Sequence, residues 1–152
     1  MREGRHFSLL CRVRDVLCTL PLEHVEETMR PLAVEAIAGV PSFVQGLAVV
    51  RGVPIPVVDV ARLFSGDSSH PARFVTVKTG TRHIALAVDA VLGVVEIPPA
   101  SVETLPPLFQ TAGLDAIAAI GVLDADLLLV LRNTRLVPDD VWTTIQDGGT
   151  KA

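Results

Sequence analysis

Tyrosine is absent from this sequence, and aromatic residues of all kinds make up only 4% of its 152 positions. Charge is also modest, because charged residues account for 20% and the formal net charge is −4. Nucleic-acid binding needs clustered lysine and arginine, and single strands are commonly stacked on aromatic side chains. The basic residues here are scattered along the chain. The sequence therefore disfavours a nucleic-acid partner, and the same scatter argues against an anionic membrane surface.

Long apolar runs are missing as well. No stretch approaches the roughly 20 apolar residues that a membrane-spanning helix requires. The apolar start at Phe7 is soon interrupted by Arg12 and Arg14, which argues against a secretory signal. The only cysteines, Cys11 and Cys18, are too few for a dense disulfide framework. We therefore expect a cytoplasmic protein with free, buried thiols.

Motifs that carry chemistry are absent too. Neither G-x-G-x-x-G nor G-x-x-x-x-G-K-[ST] occurs. The dispersed histidines, none of which has a partner at metal-ligand spacing, are His6, His24, His70 and His83. Cys11 lies in a strand pattern without an adjacent base, and Asp124 and Asp126 fit a hairpin tip better than a catalytic pair. We expect no enzymatic activity, no metal and no cofactor, and an unrecognised hydrolase is a distant third possibility.

What the chain does have is apolar residues, at 49% with a mean hydropathy of +0.48. Such a composition predicts a folded domain with a rich core and with apolar surface for partners. Its apolar residues fall into short runs separated by turn signals, without β-α-β alternation. This pattern is typical of small all-β barrels and argues against a doubly wound enzyme fold.

The first half of the chain is predicted to form β-hairpins, an amphipathic helix and a short capped helix. Residues 7–20 suggest a hairpin, and Leu22, Val25 and Met29 fall on one helical face before Pro31. Three further strands are predicted, at residues 32–37, 47–50 and 53–60. Arg51-Gly52 forms the turn between the last two of these strands, and Asp59 is predicted to cap a short helix at 60–64.

The second half follows a polar, breaker-rich stretch at residues 66–71. Hairpins are predicted around Thr79-Gly80-Thr81 and around Asp124-Ala125-Asp126. The tail at 139–152 is polar and is expected to be dispensable for the core. The likeness of residues 57–60 to residues 87–90 hints weakly at two related halves.

Three segments carry a family resemblance. Residues 41–64, with their Pro-x-Phe-x-x-Gly start, Arg-Gly turn and Pro-Val-Val-Asp-Val strand, closely resemble the signature segment of CheW-like domains. Residues 87–97 are similar to that family's Val-Asp-x-Val segment, and residues 120–124 to a late strand. The order and spacing agree over roughly residues 7–137. The family's Asn-Leu-Arg-Gly turn keeps Arg51 and Gly52 here but has Val49 and Val50 before them.

The resemblance implies a fold of two intertwined, five-stranded, SH3-like barrels within one domain, residues 1–152. We expect the first subdomain at about 15–72 and the second at about 5–14 plus 73–138. It also implies a stand-alone adaptor that joins the regulatory domain of a CheA-type histidine kinase to the cytoplasmic tip of a chemoreceptor. Such adaptors serve chemotaxis and related chemosensory arrays, including those for pilus motility. The alternative is a regulatory or ligand-binding barrel that kept the fold without a kinase partner.

The resemblance also assigns individual residues. The receptor-binding candidates are Arg51, Gly46, Gly52, Val25 and Val94, and the kinase-binding candidate is Glu27. Arginine at a hairpin tip presents a planar fork for carboxylates or carbonyls on a partner. Apolar positions such as Val25 and Val94 can receive a partner helix, although core packing is an equally good interpretation.

Overall fold

The computed structural model describes residues 7–65, 71–96, 102–104, 117–123, 126–131 and 137–149. The strands are β1 Phe7–Val13, β2 Val16–Pro21, β3 Val25–Met29, β4 Val44–Val50, β5 Val53–Asp59, β6 Arg73–Thr79, β7 Arg82–Val88, β8 Ala90–Glu96, β9 Val102–Thr104, β10 Ile117–Leu123 and β11 Asp126–Leu131. The helices are a 3-10 turn Leu22–His24, α1 Val60–Ser65 and α2 Asp139–Gly149. None of the helices in these ranges is both long and apolar enough to cross a membrane. The predicted class, all-β with short helices, is confirmed.

The two sheets repeat one pairing order. The five-stranded sheet runs β4-β5-β7-β6-β3, and the six-stranded sheet runs β1-β2-β11-β10-β9 with β8 added beside β1. In each, an antiparallel hairpin is followed by a parallel pair, β5 with β7 or β2 with β11, and then by antiparallel strands. This shared order agrees with two related halves and with the expected pair of intertwined barrels.

One apolar core joins both sheets. It includes Cys11 of β1, Val58 of β5, Leu86 of β7 and Leu129 of β11, all buried. Because side chains alternate across a strand, the five-stranded sheet also buries its other face. The members of this second cluster are mostly small, which suits the narrow interior of a barrel: Ala48, Ile55, Val57, Phe74, Ala85 and Ala87.

The hairpins and the cap were predicted well. β6 and β7 enclose the turn at Gly80, and β10 and β11 form the later hairpin, whose tip at 124–125 lies outside the described residues. Asp59 Oδ1 accepts a hydrogen bond from the Arg62 N–H at 3.3 Å, so Asp59 caps α1 as expected. The polar break at 66–70 also lies outside the described residues.

The helix predicted over residues 22–29 is wrong. Only Leu22–His24 is helical, as a single 3-10 turn, and β3 follows at once. Along β3 the half-buried residues Val25, Glu27 and Met29 alternate with exposed ones, which is the period of a strand. A helix of so few residues has little intrinsic stability, and pairing with β6 supplies backbone hydrogen bonds instead.

Two other expectations need correction. The strand predicted at 32–37 is reduced to one antiparallel bridge between Glu35 and Leu47. The polar tail at 139–152 contains α2, whose Val141 is buried in the main core, with Trp142 and Ile145 packed against it. Its few apolar residues therefore form one face of an amphipathic helix.

The sheets also divide the chain differently from the expected subdomains. β6 and β7 were assigned to the second subdomain, but they lie in the five-stranded sheet with β3, β4 and β5. β2 was assigned to the first subdomain, but it pairs with β1 and β11 in the six-stranded sheet. The parallel pairing of β5 with β7 is what holds the second of these hairpins to the first sheet.

Cys11 and Cys18 face each other across the β1–β2 pair, and both are free and buried. Burial raises the pKa of each thiol to about 12. At pH 8 only about one thiol in 10,000 is then ionised, and the thiolate is the reactive form. We expect the native protein to react with a colorimetric disulfide reagent only as fast as it unfolds, whereas the urea-unfolded chain reacts at once. Rapid reaction of either thiol in the native protein would contradict this prediction.

Candidate functional site

Arg51 and Gly52 form the tip of the β4–β5 hairpin. Both have positive φ, 52° and 81°, and they join the paired residues Val50 and Val53. Two residues with positive φ give the turn that matches the twist of a two-residue hairpin. The turn therefore projects the Arg51 side chain into solvent, where it is 77% exposed.

Arg51 is held by Glu27 in a bidentate ion pair. The Arg51 Nε donates to Glu27 Oε2 and the Arg51 Nη2 donates to Glu27 Oε1, each at 2.9 Å. This hydrogen-bonded pairing lowers the pKa of Glu27 and raises that of Arg51. Glu27 lies on β3, at the opposite edge of the five-stranded sheet from β4. The ion pair therefore links the two edges and closes this end of the barrel.

A β-bulge places a second carboxylate beside the first. Val25 is paired with Val77 but Glu27 with Thr76, so Glu26 is the extra residue on β3. The Thr76 hydroxyl donates to the Glu27 carbonyl oxygen at 3.3 Å. Glu26 Oε1 lies 2.8 Å from His83 Nδ1 at the start of β7.

These side chains surround a groove of about 420 Å³, which we call the barrel-end groove. Its lining residues come from five strands and one turn: Glu26, Glu27, Val50, Arg51, Val53, Ile55, Thr76 and His83. The apolar lining consists of Val50, Val53 and Ile55. The rim carries two acid–base pairs, Glu27 with Arg51 and Glu26 with His83. This arrangement suits recognition of an apolar side chain flanked by polar groups. Within the described ranges, no cluster of histidine, cysteine and carboxylate side chains could hold a metal ion.

Gly46 has a backbone role. It lies in a bulge of β4 with a φ of 147°, where the chain 35–36 passes directly over it. Glu35 and Leu47 exchange two backbone hydrogen bonds across this approach, at 2.8 and 2.9 Å. An added Cβ would overlap the Glu35 carbonyl oxygen and lie 2.9 Å from the Ala36 Cα. Glycine is therefore required here by packing.

Val25 and Val94 do not lie in the same part of the molecule. Val25 is half-buried on β3 against the main core, one residue before Glu26. Val94 lies on β8 of the other sheet, opposite Leu9, and is 51% exposed. It is not among the residues that line the barrel-end groove.

Of the sequence candidates, the structure brings Arg51 and Glu27 together, although the resemblance assigned them to different partners. Sequence reasoning missed Glu26, Thr76 and His83. A β-bulge leaves no reliable signal in a single sequence, and His83 reaches the groove through pairing that only the fold provides.

Comparisons with known proteins fit this architecture. The family model described as the CheW-like domain matches residues 8–141. Protein FrzA of Myxococcus xanthus is 36% identical over 100 residues, which cover 63% of this chain and 61% of FrzA. Chemotaxis protein CheW of Klebsiella aerogenes is 24% identical over 117 residues, which cover 75% of this chain and 70% of that protein.

The fold has a solved counterpart. The scaffolding protein TtCheW from Thermoanaerobacter tengcongensis superposes with a TM-score of 0.70 at 24% identity, covering 84% of this chain and 89% of that one. The match of the family model runs from β1 into the first turn of α2, which is most of the chain. This chain therefore belongs to the CheW-like domain family.

Proposed function

We propose that this protein is a non-enzymatic cytoplasmic adaptor that couples chemoreceptors to a CheA-type histidine kinase. Its relatives include a chemotaxis protein and a scaffolding protein, and these names favour a coupling scaffold over a regulatory or ligand-binding barrel without a kinase partner. The array it serves is one for chemotaxis or a related chemosensory system such as pilus motility.

The observation that carries this proposal is the orientation of Arg51. Two of its five N–H groups are used by Glu27, and the side chain is still 77% exposed at the rim of an apolar groove. A guanidinium that is already fixed in place loses little conformational freedom on binding. Arg51 is thus the direct contact with the receptor tip. Gly52 allows the hairpin turn that presents Arg51, and Val25 packs against the core next to the rim of the groove.

Glu27 is a positioning residue in this proposal. Because it fixes the fork of Arg51, its loss affects binding even where Glu27 itself touches no partner. The kinase regulatory domain contacts the same end of the barrel, around Glu27. Gly46 acts only through the backbone. Val94 contributes exposed apolar surface on the six-stranded sheet.

The first test reverses the charge at the turn. Arg51→Glu places a carboxylate opposite Glu27, and we expect binding to the receptor tip to weaken about tenfold or more, as for loss of a hydrogen-bonded charge at an interface. Thermal melting should stay close to that of the wild type, because the side chain is exposed. Calorimetric titration against a receptor-tip fragment and against the kinase regulatory domain measures both partners. Arg30→Glu, an exposed charge reversal outside the groove, is the control.

The second arm of this test separates recognition from stability. In the double variant Glu27→Arg with Arg51→Glu, the ion pair is re-formed with its members exchanged. We expect the melting temperature to stay close to that of the wild type and receptor binding to stay weak, because the hairpin tip now carries a carboxylate instead of a guanidinium. Restored binding in the exchanged pair would contradict the role of Arg51 as the direct contact.

A further inference from the structure

The bulge at Glu26 gives the barrel-end groove an additional carboxylate. In a regular strand Glu26 and Glu27 would point to opposite faces of the sheet. Here both line the groove, because β3 advances from Val25 to Glu27 while β6 advances by one residue. Bulges re-aim side chains and are common beside functional sites. The second carboxylate is therefore a built feature of the groove.

His83 holds this carboxylate in place. The carboxylate of Glu26 accepts hydrogen bonds only, so His83 Nδ1 carries the proton in their 2.8 Å contact. Both side chains are 38% exposed, which leaves the pair accessible from the groove. A neutral imidazole with its proton on Nδ1 also makes this contact, and the pair then has a net negative charge at the rim.

The other charged groups around His83 come from each neighbouring element. Glu27 and Arg51 face it across the groove and are paired with each other. Lys78 lies directly opposite on β6, outside the groove lining. Arg82 precedes it on β7, with its guanidinium 4.7 Å from the ring centre of Trp142 in α2. Among the groove-lining residues, two carboxylates thus face one guanidinium when His83 is neutral.

We propose that the Glu26–His83 pair is a specificity element that selects a partner segment in which an apolar side chain is followed by lysine or arginine. The apolar side chain occupies the floor formed by Val50, Val53 and Ile55, and the basic group meets Glu26. Protonation of His83 balances the charge of Glu26 and removes the preference. This inference rests on the barrel-end groove being a partner surface, as proposed above.

The test uses two capped peptides with the full-length, ¹⁵N-labelled protein. One carries leucine followed by lysine, and the other has glutamine in place of the lysine. Chemical-shift titrations at pH 7.5 should give a two- to fivefold tighter Kd for the lysine peptide, about the effect of one exposed ion pair. At pH 5.5, where protonated imidazole is more abundant, the difference between the two Kd values should be smaller. His83→Asn should keep the preference at both pH values, and Glu26→Gln should abolish it at both.

Glu23 and His24 supply a matched control, since they form a similar pair at 3.4 Å outside the groove. Glu23→Gln should leave the lysine preference and its pH dependence unchanged. Equal Kd values for the two wild-type titrations at pH 7.5, a preference that survives Glu26→Gln, or no shifts at the groove amides would overturn the inference. If Arg51→Glu still weakens receptor binding in that case, the proposed function stands and only the role of Glu26 fails.

Discussion

Replacing Gly46 by alanine is expected to destabilise this protein by about 3 kcal/mol or more. The added Cβ overlaps the Glu35 carbonyl oxygen and lies 2.7 Å from the Glu35 carbonyl carbon. Both are backbone atoms, so no side chain can turn away to make room. Relief requires chain 35–36 to move off β4, which breaks the hydrogen bonds between Glu35 and Leu47. Because small domains are stable by only about 5–15 kcal/mol, urea unfolding should show a large loss.

Gly52→Ala is the matched control for this substitution. Gly52 also has a positive φ, 81°, but an added Cβ there meets nothing within 4 Å. Its cost should be limited to the backbone strain of about 1–2 kcal/mol. Equal urea midpoints for the two variants would show that residues 35–36 move away from β4 at little cost in free energy. The packing argument for Gly46 would then be wrong. Receptor binding by the Gly46→Ala variant is expected to fall only in proportion to its folded fraction.

Deleting residues 139–152 is expected to lower stability by about 3–5 kcal/mol and the melting temperature by about 10 °C. The deletion removes Val141, which is 1% exposed in the main core, and the partly buried Trp142 and Ile145. It also removes the contact of Trp142 with the Arg82 guanidinium. Differential scanning calorimetry of the truncated chain measures the loss.

Single substitutions on α2 locate the effect. Val141→Asp should reproduce most of the loss, because it buries a carboxylate in an apolar core. Thr143→Asp, on an exposed position of the same helix, should leave the melting temperature nearly unchanged. Removing only residues 150–152 keeps the whole helix and serves as the length control. Unchanged melting after the full deletion would restore the expectation of a dispensable tail.

Local signals in the sequence predicted the hairpins correctly. Gly52 and Gly80 mark two-residue turns, and the alternation of Ile84, Leu86 and Val88 with smaller residues marks a strand with one face in the main core and the other in the second cluster. The helical spacing in residues 22–29 misled because three apolar residues in so short a segment are too few to distinguish a helix from a turn followed by a strand. The partner strand β6, which decides between them, lies about 50 residues further along the chain.

The site was predictable only in part. Arg51 could be found because its role depends on the adjacent glycine and on the hairpin itself. Its pairing with Glu27 and the nearby contact of Glu26 with His83 join residues that are 24 and 57 positions apart. Such contacts depend on strand order and register, which a single sequence does not specify. The helix α2 was missed for a related reason, since the composition of the tail is polar while its few apolar residues share one face.

The parallel pair of β2 and β11 has a consequence for synthesis on the ribosome. Leu17 and Cys18, near the start of the chain, are paired with Leu128 and Leu129, more than 100 residues later. Strands β3 to β7 can assemble once residue 88 has emerged, so the five-stranded sheet can form while the rest is still being made. The β1–β2 hairpin must meanwhile wait with both edges unpaired, because β1 pairs with β8 and β2 pairs with β11, and exposed edges invite aggregation. The nascent chain is thus most vulnerable during the interval in which residues 89–131 are translated.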